Sequence, residues 1–311
     1  MTQLIASGLT DFLRDAVDPQ IQVDAIGIGA VYALMAVGIG LVFGVLRLVN
    51  FAYGQLVMAG AFALAYASDR DWPVGVGIAL CVAVVLLLSL AMERVVFRPL
   101  RTQSGAVMLI ATFAVSFLLQ SIALLWFGPL GKTAGSLSQL NRAVSVGDVE
   151  IRKITIVAIV TAAVCLLLLV LLLGRTSVGL HMRAASMDFS TARLVGVRAN
   201  LVSGVAVLIA GVLAAVVAVL LTVQYPTVTP TFALQETIIV LAGVVVGGMT
   251  RLVPATLGGF LIGYVSGILG GALPTNQSQY LPTFLFGLVI LVLLLRPDGL
   301  FTRSRGLVER V

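Results

Sequence analysis

Charge is scarce in this chain: 10% of its 311 residues are Asp, Glu, Lys or Arg, while 60% are hydrophobic. A soluble domain carries about 25% charged residues, so an ordinary globular protein with one packed core is excluded. Histidine occurs once, at His181, with no cysteine nearby, which supports neither a metal site nor a His-based catalytic pair. Both cysteines, Cys81 and Cys165, fall inside apolar runs and read as small packing residues, not as a disulfide framework. The first twenty residues hold Asp11, Arg14, Asp15 and Asp18 and lack the basic start of a cleavable signal peptide, so the apolar run from Ile21 is expected to direct insertion itself. The segment GPLGKTAG at 128–135 is no phosphate-binding loop, because Trp126 stands where the first glycine of that pattern belongs. No nucleophile and base are brought into register anywhere, so an enzyme reading has nothing to rest on.

What is present is length of apolar chain. A helix needs roughly 20 apolar residues to cross the hydrocarbon core. Nine runs qualify or come near: 21–46, 51–67, 74–92, 105–127, 154–173, 201–223, 233–249, 254–273 and 281–295. The last three are short or broken by Gly and Pro. Alternating the nine places 13 basic residues on one side and 6 on the other, with the acidic residues running 4 to 9 the opposite way. The basic side is cytoplasmic by the positive-inside rule. This predicts an all-α polytopic inner-membrane bundle of about nine spans with its N-terminus outside and C-terminus inside. One transmembrane domain occupies 21–311, after an extracytoplasmic segment 1–20. The net charge of +6 then follows from topology and implies no nucleic-acid partner; the partner of its apolar surface is membrane lipid.

Between the fifth and sixth runs lies a polar, alanine-rich island, residues 174–200, GRTSVGLHMRAASMDFSTARLVGVRAN. Connectors between helices usually take about 2–8 residues, so this one is long enough to have a task. Asp188 is a plausible N-cap for a short helix over 189–195, and Gly196 suits the turn that ends it. Small residues and flanking arginines fit docking in a partner's groove; the alternative is an amphipathic segment on the membrane surface.

Gly259, Gly263, Gly267 and Gly271 recur every four residues and share one helix face, which permits close helix packing or, alternatively, a sliding seam. Gly40 with Gly44 and Gly243 with Gly247 are weaker pairs of the same kind. Ionisable groups inside the membrane mark function by default, and Asp24 and Glu236 come nearest. Asp24 reads as interfacial. Glu236 follows a Pro- and Thr-rich stretch and precedes a short span, the setting in which transport pathways form. The lack of mid-membrane carboxylates argues against a proton- or sodium-driven carrier. That rival class, a self-sufficient transporter or channel, would leave the island a surface element.

Two segments resemble a known family: GIGAVYALMAVGIGLVFGVLRLVNFAYGQLVMAGAF at 27–62 and GLHMRAASMDFSTARLVGV at 179–197. Both are similar to the permease subunits of branched-chain amino-acid ABC importers, and RPDGLF at 296–301 resembles the family's closing motif. The resemblance implies an import permease paired with a second, homologous permease subunit, two cytoplasmic ABC ATPase subunits that bind the ATP and Mg, and a periplasmic substrate-binding protein. This chain itself would bind no cofactor. The island would be the coupling segment, with Met182, Arg183, Ala184, Asp188, Ala192, Leu194 and Gly196 matching the pattern. Asn50, Gln55, Gln224 and Glu236 are candidates to line the translocation path. Tyr53 in NFAYG and His181 in the G-x-x-M-R-A run depart from the family's usual residues. The substrate is accordingly a branched-chain or other mostly apolar amino acid, with urea or a short amide as the alternative within the family.

Overall fold

The computed structural model describes residues 14, 16–46, 49–100, 103–135, 137–146, 149–187, 192, 198–249, 251–274, 277–296 and 299–301. Each of the nine apolar runs forms a helix, and the island contributes one more. In chain order they are α1 Pro19–Leu46, α2 Tyr53–Ser68, α3 Val74–Met92, α4 Gly105–Phe127, α5 Lys153–Arg175, α6 Ser177–Met187, α7 Ala199–Gln224, α8 Leu234–Gly247, α9 Leu252–Ala272 and α10 Leu281–Leu295. Seven are long and apolar enough to cross a membrane. Of the helices formed by the nine runs, the two that fall short are α2, with 16 residues, and α8, with 14. Of the last three runs, expected to be short, the seventh is so, whereas the expectation needs correction for the eighth and ninth. The ninth gains a turn from Ser278–Tyr280 and the eighth carries 21 residues, whereas the second starts late at Tyr53.

Helix α3 does not stop at Met92. It continues through a π-helical turn, Glu93–Phe97, into Arg98–Leu100, with the Arg98 N–H donated to the Glu93 carbonyl. Pro99 accounts for the wide turn: its ring lacks an N–H and would clash with the carbonyl four residues earlier in a regular α-helix.

Helix α1 is the hub, with 83% of its spanning stretch buried, against 17% for α5 and 11% for α10. Its most intimate partner is α9. A Cβ at Gly263 would lie 2.6 Å from Tyr32 Cβ, one at Gly267 2.8 Å from Ala25 Cβ, and one at Gly271 2.9 Å from Ile21 Cγ2; one at Gly259 would overlap Ala36. All four glycines thus face α1. Along α8 and α9, Gly243 and Gly247 meet Gly258 just as closely. The Gly40–Gly44 pair forms no such seam, since a Cβ at Gly44 would meet nothing within 4 Å.

One end of the bundle carries two small antiparallel pairs that the apolar pattern does not foretell. Strands β1 Lys132–Thr133 and β4 Thr227–Val228 form one, and β2 Ala143–Val146 with β3 Val149–Arg152 forms the other. The β2–β3 hairpin is tied to the start of α1. Gln20 exchanges hydrogen bonds with the Glu150 backbone at 2.8 and 2.9 Å, and Arg152 pairs with Asp24 at 3.4 Å. Asp24 is thus partnered at this end of the bundle.

Candidate functional site

Two places in this fold depart from plain helix packing. The first is where α2 and α8 begin. Tyr53, the first residue of α2, packs its ring on Gly38 of α1. Gly38 lies eight residues before the end of α1, about 12 Å along the helix axis. The chain therefore turns back after α1 and starts α2 inside the bundle, not at its edge. Helix α8 starts beside it: a Cβ at Gly54 would lie 2.5 Å from Thr237 Oγ1 and 2.8 Å from the Ala233 carbonyl. Ala233 reaches the helix through a left-handed backbone, φ 61°. Two short helices thus meet at their N-terminal turns, deep among the longer ones.

Backbone outside a helix at this depth must find its partners within the protein. Asn50 supplies one, its Oδ1 accepting the Ala52 N–H at 3.0 Å, and the Thr112 hydroxyl donates to the Val49 carbonyl at 3.3 Å. On the other side, Thr237 donates to the Ala233 carbonyl at 2.6 Å. Gln55 is different. It is fully buried, and neither its amide nitrogen nor its amide oxygen has a hydrogen-bond partner among the described residues.

The four residues expected on the path fall into two groups. Asn50 and Gln55 are buried at the α2 turn, with Asn50 engaged in supporting backbone. Gln224 and Glu236 are half-buried, at the end of α7 and in the first turn of α8. Tyr225, 49% exposed, follows Gln224 at the end of α7.

The second place is the corner between α5 and α6. Thr176 breaks the helix, its hydroxyl donating back to the Leu172 carbonyl at 2.6 Å and accepting the Gly179 N–H at 3.1 Å. One side chain closes α5 and caps α6. Gly179 makes the corner possible, since a Cβ there would lie 2.5 Å from both the Leu172 carbonyl oxygen and Leu173 Cα. Those are backbone atoms and cannot rotate away.

On α6, Met182 and Ala185 are buried at 1% and 4% exposure and pack inward. Arg183 is exposed and Ala184 half-buried; Ala192, further on, is buried at 5%. Asp188, Leu194 and Gly196 lie outside the described residues, as does most of the 189–195 helix expected after Asp188. The residues α6 turns outward are Leu180, His181 and Arg183, with Leu180 58% exposed. Sequence reasoning missed Leu180, although an apolar residue three and four positions from the small Ser177 and Ala184 was a readable signal. It also missed Glu93. That carboxylate, 7% exposed on the π-helical turn, accepts the Ser203 hydroxyl at 3.1 Å in the first turns of α7, just beyond the island. Only the helix running past Met92 brings it there.

A family model described as "Branched-chain amino acid transport system / permease component" matches residues 22–295. The chain is 30% identical over 301 residues to the high-affinity branched-chain amino acid transport system permease protein BraD of Pseudomonas aeruginosa, covering 93% of this chain and 96% of that one. With the corresponding protein LivH of Escherichia coli it shares 27% over 302 residues, at the same coverage of 93% and 96%. Among solved structures it is similar in fold to a chain of PsaBC from Streptococcus pneumoniae, TM-score 0.53 at 12% identity, over 93% of this chain and 97% of that one. An ABC transporter in an inward-facing conformation gives 0.51 at 17% identity, over 95% and 99%.

Proposed function

Because the chain belongs to the permease family of branched-chain amino acid transport systems, we propose that it carries branched-chain amino acids across the bacterial inner membrane, driven by ATPase subunits that dock on its α5–α7 connection. It is a transport subunit and not an enzyme. The observation that carries the docking is the corner at Gly179. Helix α6 is held rigidly against the end of α5, buries Met182 and Ala185 in the bundle, and leaves Leu180, His181 and Arg183 outward. Force applied to that outward face reaches α5 and α7 directly, and α3 through the Ser203–Glu93 hydrogen bond. Within the island, Met182, Ala185 and Ala192 anchor the segment and Arg183 and Leu180 meet the partner; the assignment of Asp188, Leu194 and Gly196 to the coupling rests on the family resemblance.

The membrane topology follows in the same reading. The N-terminus and the strand-bearing end face outward, the island and the C-terminus face the cytoplasm, and nine crossings are kept. Helices α2 and α8 complete their crossings with the non-helical stretches before them, which is tolerated where backbone is buried in protein. Short helices meeting at mid-depth are where transporters hold substrates. Burying an amide without a partner costs several kcal/mol, so Gln55 is retained for a partner it meets in another state of the cycle. Gln224 and Glu236, beside Tyr225, form the outer approach. Three kinds of partner complete the importer: a second permease subunit, the two ATPases with their ATP and Mg, and a periplasmic binding protein that delivers the substrate.

The test is uptake into proteoliposomes holding the chain with its accompanying subunits, against leucine, isoleucine, valine, urea and acetamide. ATP-dependent uptake of the three amino acids is expected. Uptake of urea or acetamide alone, or gradient-driven uptake without ATP, overturns the reading.

A further inference from the structure

A cleft of about 800 Å³ opens on the side of the bundle between α2, α3 and α4, far in sequence from the island. Met58, Phe62, Leu80, Val84, Leu119 and Ile122 line it, and almost nothing polar does. Phe62 and Phe127 stack at 4.2 Å to form its wall. The three helices around it are packed loosely toward the outside: Leu87 is 67% exposed and Trp126 78%.

Its mouth is marked by aromatics. Tyr66 and Trp126 line the cleft, and Trp72 stands edge-on to Tyr66 at 6.1 Å. Trp72 and Trp126 are the two tryptophans of the chain. Trp and Tyr collect at the membrane–water boundary, so the mouth lies at headgroup level and the cleft descends from it into hydrocarbon. A cation is mounted on that rim. The Arg70 guanidinium sits 3.8 Å above the Tyr66 ring and 6.0 Å from that of Trp72. Its neighbour Lys132 is taken up by Asp69 at 2.8 Å, whereas Arg70 forms no ion pair among the described residues.

We propose that this cleft is a phospholipid site, with an acyl chain between α2, α3 and α4 and the headgroup phosphate on Arg70. An apolar slot at membrane depth, opening at an aromatic belt beneath an unpaired guanidinium, matches a lipid in both of its halves: hydrocarbon below, phosphate above. A helix from another subunit would fill the slot equally well but would leave the guanidinium without an anion.

Native mass spectrometry of the full-length chain with its accompanying subunits, stripped of lipid and titrated with palmitoyl-oleoyl phosphatidylglycerol, tests this. Wild type should hold one more lipid than Ala59→Phe or Val84→Trp, either of which fills the slot; the second guards against misfolding of the first. Arg70→Gln should lower occupancy at fixed lipid about fivefold, the worth of one interfacial Arg near a charged membrane surface. Free glycerol 3-phosphate should not displace the lipid. Equal occupancy in all variants overturns the proposal, as does displacement by glycerol 3-phosphate. Efficient disulfide crosslinking of Leu87→Cys to another permease subunit overturns it too, by making the cleft a protein interface.

Discussion

Gly54 and Thr237 are in such close apposition that a Cβ on the first would lie 2.5 Å from Oγ1 of the second. They stand 183 positions apart in the sequence, yet their contact joins the opening turns of the two helices too short to cross a membrane alone. Overfilling a close-packed site typically costs about 1–3 kcal/mol. Gly54→Ala should therefore lower the melting temperature in detergent. Thr237→Ala should restore part of it, the remainder being the Ala233 carbonyl at 2.8 Å. Equal melting of Gly54→Ala and wild type would contradict the packing described.

Asn50 should prove structural. Its Oδ1 is the acceptor for the Ala52 N–H, and leaving a buried donor unsatisfied costs about 1–3 kcal/mol. Asn50→Ala is expected to destabilise by that amount in chemical unfolding. An unchanged midpoint would show that the stretch before α2 finds its partners elsewhere.

Gln55 should behave in the opposite way. Replacing a buried, unpartnered amide by Met, of similar shape, removes a desolvation penalty. Gln55→Met is expected to raise the melting temperature and to reduce uptake. A variant that is both more stable and fully active would remove Gln55 from the path.

The α9 glycines supply an internal contrast. Gly263→Leu drives a side chain into Tyr32, whereas Gly270 meets only Leu281 Cδ1 at 3.5 Å. Gly263→Leu should lose several kcal/mol or fail to fold, and Gly270→Ala should stay within about 0.5 kcal/mol. Melting curves of the two decide it. Similar melting of the two variants would contradict the Gly263–Tyr32 contact.

The sequence made much of this legible, and its failures have physical causes. Apolar run length marks each helix, and the four-residue glycine spacing marks the α9 face turned to α1. Run length says nothing of depth, however. Residues 51–67 and 233–249 read as crossings, and only tertiary contact, Tyr53 on Gly38 and Gly54 on Thr237, puts the starts of α2 and α8 inside the bundle. Glu93 lies one residue past the apolar run that ends at Met92, and only the π-turn ahead of Pro99 carries the helix on through it. In the island the sequence identified the segment but not its sides. Met182 reads as a contact residue and points inward, whereas Leu180, unremarked in the pattern, points out. The sidedness is set by the corner at Gly179, a glycine whose need shows only when the Leu172 and Leu173 backbones are beside it.

The central claim is that work done by another subunit enters through the outward face of α6, and Leu180→Glu tests it most directly. The residue is 58% exposed, so the change should leave folding within about 0.5 kcal/mol of wild type. Uptake of leucine and ATP hydrolysis should be measured together in proteoliposomes containing the accompanying subunits. The account predicts uptake reduced more than about tenfold, the equivalent of 1.4 kcal/mol, with melting unchanged. Full ATP-driven uptake by Leu180→Glu would contradict it.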